Sequence, residues 1–88
     1  MELHCYSLLD QVLNTFSYPF PASSDNEARR NVRLAALDAQ TTLHKSPSDF
    51  TLYKIGVFDN DTGEFRSLAT PLLLDRVTSL ISNNEVHP

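Results

Sequence analysis

The sequence predicts an α+β fold: a small antiparallel sheet of two hairpins, one main helix packed on it and a short C-terminal helix. Three observations carry this expectation. Residues Leu3–Leu9 and Asp49–Phe58 alternate in the manner of strands. A Ser24-x-x-Glu27 capping box opens a segment whose small apolar residues recur at helical spacing. Asp59-Asn60-Asp61-Thr62-Gly63 has turn chemistry between two runs of strand formers.

The elements follow in chain order. In Leu3–Leu9, His4, Tyr6 and Leu8 alternate with Leu3, Cys5 and Ser7, and the aromatic suits a pleated surface. A turn at Asp10-Gln11 leads into a second extended run, Val12–Tyr18. Pro19 and Pro21 stop it, because proline cannot donate to a ladder. The main helix spans Asp25–Ala39, with Ala28, Val32, Ala35, Ala36 and Ala39 within an arc of roughly 100°. Such a stripe of small side chains lets the helix axis approach a sheet closely. Gln40–Ser48 is polar, contains Pro47 and reads as a loop.

Strand Asp49–Phe58 places Thr51, Tyr53, Ile55 and Val57 on one face and Phe50, Leu52 and Phe58 on the other. A strand apolar on both faces is central or covered twice. Gly63 supplies the positive φ of the turn, and Glu64–Leu68 returns as the partner strand. Pro71 suits a first helical turn, and Leu73, Val77, Leu80 and Ile81 recur at helical spacing, so a short helix is expected over Leu72–Ser82. Residues 82–88 read as a frayed tail of the single domain 1–88.

Composition narrows the function classes. A chain of 88 residues forms one small domain with a thin stability margin. Its lone Cys5 excludes an internal disulfide, so a partner subunit is the expected extra support. No apolar run approaches the roughly 20 residues that cross a bilayer, and Glu2 and His4 do not open a secretory signal. Seven Lys+Arg against 11 Asp+Glu give a net charge of −4, which excludes indiscriminate coating of nucleic acid. Two glycines cannot build a phosphate-cradling loop.

Catalytic and metal chemistry find no support in the spacing. His4, His44, His87 and Cys5 lack the separations of a metal site, so no metal and no cofactor is expected. Asp59-x-Asp61-x-Gly63 lacks the third oxygen ligand and the closing carboxylate of a calcium loop. No motif joins Cys5 to His44 as nucleophile and base, and no enzyme activity or small-molecule substrate is expected.

One charged feature is concentrated. Arg29, Arg30 and Arg33 fall on a roughly 100° arc beside the alanine stripe. That arc can meet phosphates, since arginine offers a planar fork; the plain alternative is a solvated face with the i,i+4 pair Asp25–Arg29. Lys54 and Arg66, on strands that carry aromatics, complete the candidate DNA-binding set, with tyrosines available to stack on bases. A second set is the candidate oligomer interface: Phe50 and Leu52 on the two-faced strand, with Leu73, Val77 and Leu80 on the C-terminal helix.

Three segments carry a family resemblance: Tyr6-Ser7-Leu8-Leu9-Asp10; Pro19-Phe20-Pro21-Ala22 leading into Asp25-Asn26-Glu27-Ala28-Arg29-Arg30; and Pro47–Asp59 followed by Asp61-Thr62-Gly63. Across about residues 3–68 the chain resembles the small nonstructural protein of gokushovirus-type microviruses, which are single-stranded DNA phages. The segment after Pro71 lies outside the resemblance. The resemblance implies a non-capsid protein acting in the cytoplasm of the infected bacterium, at the stage of genome synthesis and packaging, and it brings no catalytic residue. The expected function is a non-enzymatic accessory factor that contacts single-stranded DNA or the phage replication and assembly complex, as a homodimer. The alternative is a homo-oligomeric adaptor that recruits host or phage proteins without touching DNA.

Overall fold

The computed structural model describes residues 1–86, with side chains described through residue 82. The fold is α+β, an antiparallel sheet with helices on one side. Strand β1 is Glu2–Asp10, β2 is Thr15–Phe16 and β3 is Phe20–Ala22; helix α1 is Asp25–Leu37 and α2 is Thr42–Lys45. A 3-10 turn, Pro47–Asp49, precedes strand β4, Phe50–Asp59; β5 is Glu64–Arg76 and helix α3 is Val77–Val86. The sheet order is β2-β1-β4-β5, with β3 also paired to β1. The two expected hairpins, β1–β2 and β4–β5, therefore join through an antiparallel β1–β4 pair, and β4 is central as its two apolar faces require.

Local chemistry explains the first hairpin. The Asp10 carboxylate accepts the N–H groups of Val12 (3.0 Å) and Leu13 (3.2 Å), and Asn14 closes the turn at φ 57°. The second strand is shorter than expected, two residues in place of Val12–Tyr18. The Ser17 hydroxyl accepts the Leu8 N–H at 3.0 Å and ends the ladder. Pro21 does not stop pairing. It sits in β3 on the sheet edge, where a missing donor costs no ladder bond.

Helix α1 begins as the capping box dictates. Ser24 Oγ accepts the Glu27 N–H at 3.1 Å, and Glu27 Oε1 reaches back to the Ser23 N–H at 2.7 Å. The helix stops at Leu37, two residues before the expected Ala39. The Thr41 hydroxyl donates to the Ala35 and Asp38 carbonyls at 2.7 and 2.8 Å, satisfying terminal acceptors that another turn would have used. Thr41 then caps α2 by accepting the His44 N–H, so the expected loop 40–48 holds a helical turn.

The segment after Leu68 corrects the expectation most. Leu72–Arg76 is strand, not helix, and α3 starts at Val77. Between Gly56↔Ser67 and Lys54↔Leu72 the pairing slips, so residues 68–71 bulge opposite Ile55. Pro71 lies in that bulge of an edge strand, the one strand setting in which it removes no bond. Residues 82–86 of the expected tail continue α3; 87–88 lie outside the described residues.

The core lies between the sheet and the helices. Tyr6, Ala22 and Leu52 from the strands pack with Ala28, Val32 and Ala36 of α1 and Val77 and Leu80 of α3. The expected alanine stripe is thus the buried face, apart from half-buried Ala35 and exposed Ala39. Leu52, Val77 and Leu80, expected at an oligomer interface, are sealed inside this protomer. Phe50 packs half-buried against the same core, which leaves Leu73 alone of the five exposed, and it stands on the opposite side of the sheet.

Candidate nucleic-acid interface

The cations expected to meet phosphate lie on the helix side, and most are engaged there. Arg29 Nε donates to Asp75 Oδ2 at 2.6 Å and its Nη1 to Asn26 Oδ1 at 2.9 Å. Lys54 Nζ lies 3.4 Å from Asp25 Oδ1, with its side chain 17% exposed. Arg66 pairs with Glu2, and half-buried Arg33 is also engaged within the protein. Arg30 is exposed beside Ser23, Asn26 and Glu27; the hydrogen bond from the Ser23 backbone holds the Glu27 carboxyl below its ordinary range, and the Arg30 charge adds to this. The expected Asp25–Arg29 pair gives way to others: Asp25 turns to Tyr6 and Lys54, and Arg29 to Asp75. The structure does not bring the five cations into one free patch.

Asp25 organises this side. The buried Tyr6 hydroxyl donates to Asp25 Oδ1 at 2.7 Å. That bond, with the charge of Lys54, holds the Asp25 carboxyl below its ordinary range against the opposing effect of burial. Burial first, and Asp25 second, push the Tyr6 phenol well up. Both directions keep the proton on Tyr6 and the charge on Asp25. His4 Nδ1 is enclosed nearby with no hydrogen-bond partner among the described residues. Burial also raises the Cys5 thiol, away from a reactive thiolate, while His44 of α2 is hydrogen-bonded at 3.0 Å to the Ala36 carbonyl of α1. Among the described residues no group of three His, Cys, Asp or Glu side chains is placed to hold a metal.

On the other side of the sheet no helix joins the packing among the described residues; Cys5, Ser7 and Thr51 are buried along its middle, its ends are more open, and its composition differs. Residues directly paired across antiparallel strands share a face. One row runs Phe16, Leu9, Thr51, Arg76; the next runs Ser7, Tyr53, Leu73. Then come Pro21, Cys5, Gly56, Ser67, and finally Leu3, Phe58, Phe65. No carboxylate occupies any of these positions, although the chain carries 11 acidic residues. The strand acids Glu2, Asp10, Asp59, Glu64 and Asp75 alternate onto the helix side.

This face differs from the alternation expected for β4. The register slips between Cys5 and Tyr6, leaving Ile55 as an extra residue in β4. One inserted residue inverts the alternation beyond it. Gly56 and Phe58 therefore join Thr51 and Tyr53, and Val57 moves to the helix side.

Aromatic rings mark both ends of the open face. Phe16 and Tyr53 meet edge to face with centroids 5.5 Å apart. At the far end the Phe65 ring lies over Gly56, whose absent Cβ would stand 2.7 Å from Cζ. Phe65 and Phe58 with Cys5, Pro19, Phe20 and Pro21 line a shallow hollow of about 230 Å³. Phe16 and Phe65 are each 47% exposed, and Tyr18, just beyond β2, is almost fully so. Arg76 adds a cation, with no ion pair to another described residue. Tyr53 and Phe65 stood among the strand aromatics of the sequence. Their convergence and Arg76 had no sequence signal, because both depend on the bulges.

Comparison with known proteins adds one finding. A family model described as "Phage ORF5 protein" matches residues 3–80, from β1 into α3. The chain belongs to the Phage ORF5 protein family. No curated protein and no solved structure matches it. This Phage ORF5 protein is therefore a bacteriophage protein, and the match includes the segment after Pro71. No helix among its described residues is long and apolar enough to cross a membrane.

Proposed function

We propose that this Phage ORF5 protein is a non-enzymatic accessory factor of a microvirus, serving single-stranded DNA synthesis or packaging in the bacterial cytoplasm. We further propose that it holds single-stranded DNA on the open sheet face and not through the arginines of α1. The observation that carries this reading is the segregation of charge: a chain of net charge −4 keeps one sheet face free of carboxylates and places exposed Phe16 and Phe65, half-buried Tyr53 and exposed Arg76 there. Bases stack on aromatic rings with little regard to sequence, each contributing about 1–3 kcal/mol. Few phosphates are neutralised, so the dependence on salt is shallow, a slope of about −0.7 for each contact made.

Fluorescence anisotropy of a labelled oligothymidylate, at low and near-physiological salt, tests this. Tyr53→Ala is expected to weaken binding about 5- to 150-fold, the range set by one stacked base, with the salt slope unchanged. Arg30→Ala is expected to change little. Absence of binding by the wild type at tens of micromolar protein and low salt rejects the DNA contact. The engagement of Arg29, Lys54 and Arg66 by carboxylates favours a second reading, a homo-oligomeric adaptor for replication or assembly proteins. In that case the exposed Leu73 and Phe65 meet protein, and substitution there abolishes partner capture while no oligonucleotide binds.

A further inference from the structure

We propose that the protein forms a closed two-fold dimer in which the β1–β2 turn of each protomer inserts Val12 and Leu13 into an apolar hollow of the other, between α1 and α2. This goes beyond the DNA reading and does not depend on it.

The turn is the first half of the argument. Hairpin turns ordinarily present polar residues to water. Here Val12 and Leu13 sit at the centre of the turn, each 70% exposed. They are not loose. The Asp10 carboxylate accepts both of their N–H groups, Asn14 fixes the left-handed residue, and the Gln11 N–H donates to the Asp49 carbonyl at 2.8 Å. Two aliphatic side chains are thus displayed on a braced loop, with most of their surface left uncovered by the described residues.

The hollow is the second half. It is lined by Leu8, Phe20, Val32, Ala35 and Leu43, with Asn31 the one polar contributor, and its volume is about 220 Å³. A space of roughly 150 Å³ with such walls takes an apolar group the size of benzene, so this one accommodates a pair of aliphatic side chains. Its chemistry offers little to a polar ligand.

Geometry selects the second copy as occupant. Leu8 lines the hollow and lies four residues before Val12, about 13 Å along an extended strand. The tip therefore lies no more than about 13 Å from the Leu8 wall of the hollow. A two-fold axis between two copies seats both tips at once, which closes the assembly. Leu34 of α1, one helical turn from Asn31 and 54% exposed, offers further apolar surface to the partner. The open sheet face stays free.

Sedimentation equilibrium of the full chain over micromolar to high-micromolar concentration tests the proposal, with circular dichroism as the control for folding. The wild type is expected as a dimer. Leu13→Asp, on an exposed turn, is expected to raise the dimer dissociation constant at least about 100-fold, since each dimer loses two apolar contacts. Val12→Asp at the same turn is the second variant and is expected to act likewise. A wild type that stays monomeric throughout overturns the proposal. So does a dimer that survives both substitutions, or one that Leu73→Asp alone dissociates, which would place the interface on the open face. Masses that grow beyond the dimer with concentration overturn the closed arrangement.

Discussion

The two faces of the sheet are built from the same strands and differ in almost every physical respect. The helix side buries Tyr6, Leu52, Val77 and Leu80 and also holds the polar links Tyr6–Asp25–Lys54 and Arg29–Asp75. The open side leaves Phe16, Phe65 and Leu73 about half exposed, with no carboxylate among them. Stability is concentrated on one side, and apolar surface free to meet a partner on the other. The charges that the sequence offered belong to the first side, where Lys54 and Arg29 join α1 to β4 and β5 and Arg66 joins β5 to β1. The proposed binding surface accordingly lies where the carboxylates are absent, not where the arginines are dense.

Several substitutions would break or sharpen that contrast. The largest effect is expected for Leu52→Ala on the helix side, about 2–5 kcal/mol of unfolding free energy by urea titration, because a fully buried leucine leaves a cavity. A cost under about 1 kcal/mol would mean that the core is not where stability resides. Gly56→Ala probes the one tight place on the open face. A Cβ there would stand 2.7 Å from both the Arg66 carbonyl oxygen and Phe65 Cζ, and about 1–3 kcal/mol is expected from the same titration.

Tyr6→Phe follows, at about 1–2 kcal/mol near neutral pH, since it removes a hydrogen bond to a carboxylate. Its signature is in the pH dependence. Asp25 has its folded-state pKa depressed, so its contribution is present above the ordinary value of 3.8 and is lost as pH falls through the folded value. Tyr6 has its pKa raised, so its contribution is present below 10.0 and is lost as pH climbs beyond that. Thermal midpoints measured down to about pH 3 should fall less steeply for Tyr6→Phe than for the wild type; identical slopes would remove Tyr6 as the chief cause of the Asp25 shift. The smallest effect is expected for Leu73→Ala on the open face, within about 0.5 kcal/mol, as for other exposed positions. A loss of 2 kcal/mol or so would show that this face is covered in solution.

Much of the fold was legible because its signals are local. Ser24 and Glu27 start α1 through bonds spanning three or four residues. Gly63 adopts the φ of 79° that the Asp59–Gly63 turn needs, and its N–H donates to the Asp59 carbonyl at 2.7 Å. The stripe Ala28, Val32, Ala36 follows from helical pitch alone. The candidate site was less legible. Asp75, which takes Arg29, lies 46 residues away in sequence. Pro71 has equally good places in a first helical turn and in an edge bulge, and spacing around it cannot choose. Nothing local in Tyr53-Lys54-Ile55-Gly56 marks Ile55 as the supernumerary residue.

By itself the amino-acid sequence determined the capped helix, the central strand, the glycine turn and the α+β class, because each is decided by dihedral preference and hydrogen bonds within a few residues. Only the tertiary structure decided which side of the sheet would face water and which cations would remain available. The physical reason is the two-residue period of a strand. One added residue at Ile55, fixed by pairing with β1 and β5, exchanges the faces beyond it, and with them the surroundings of every charge and ring.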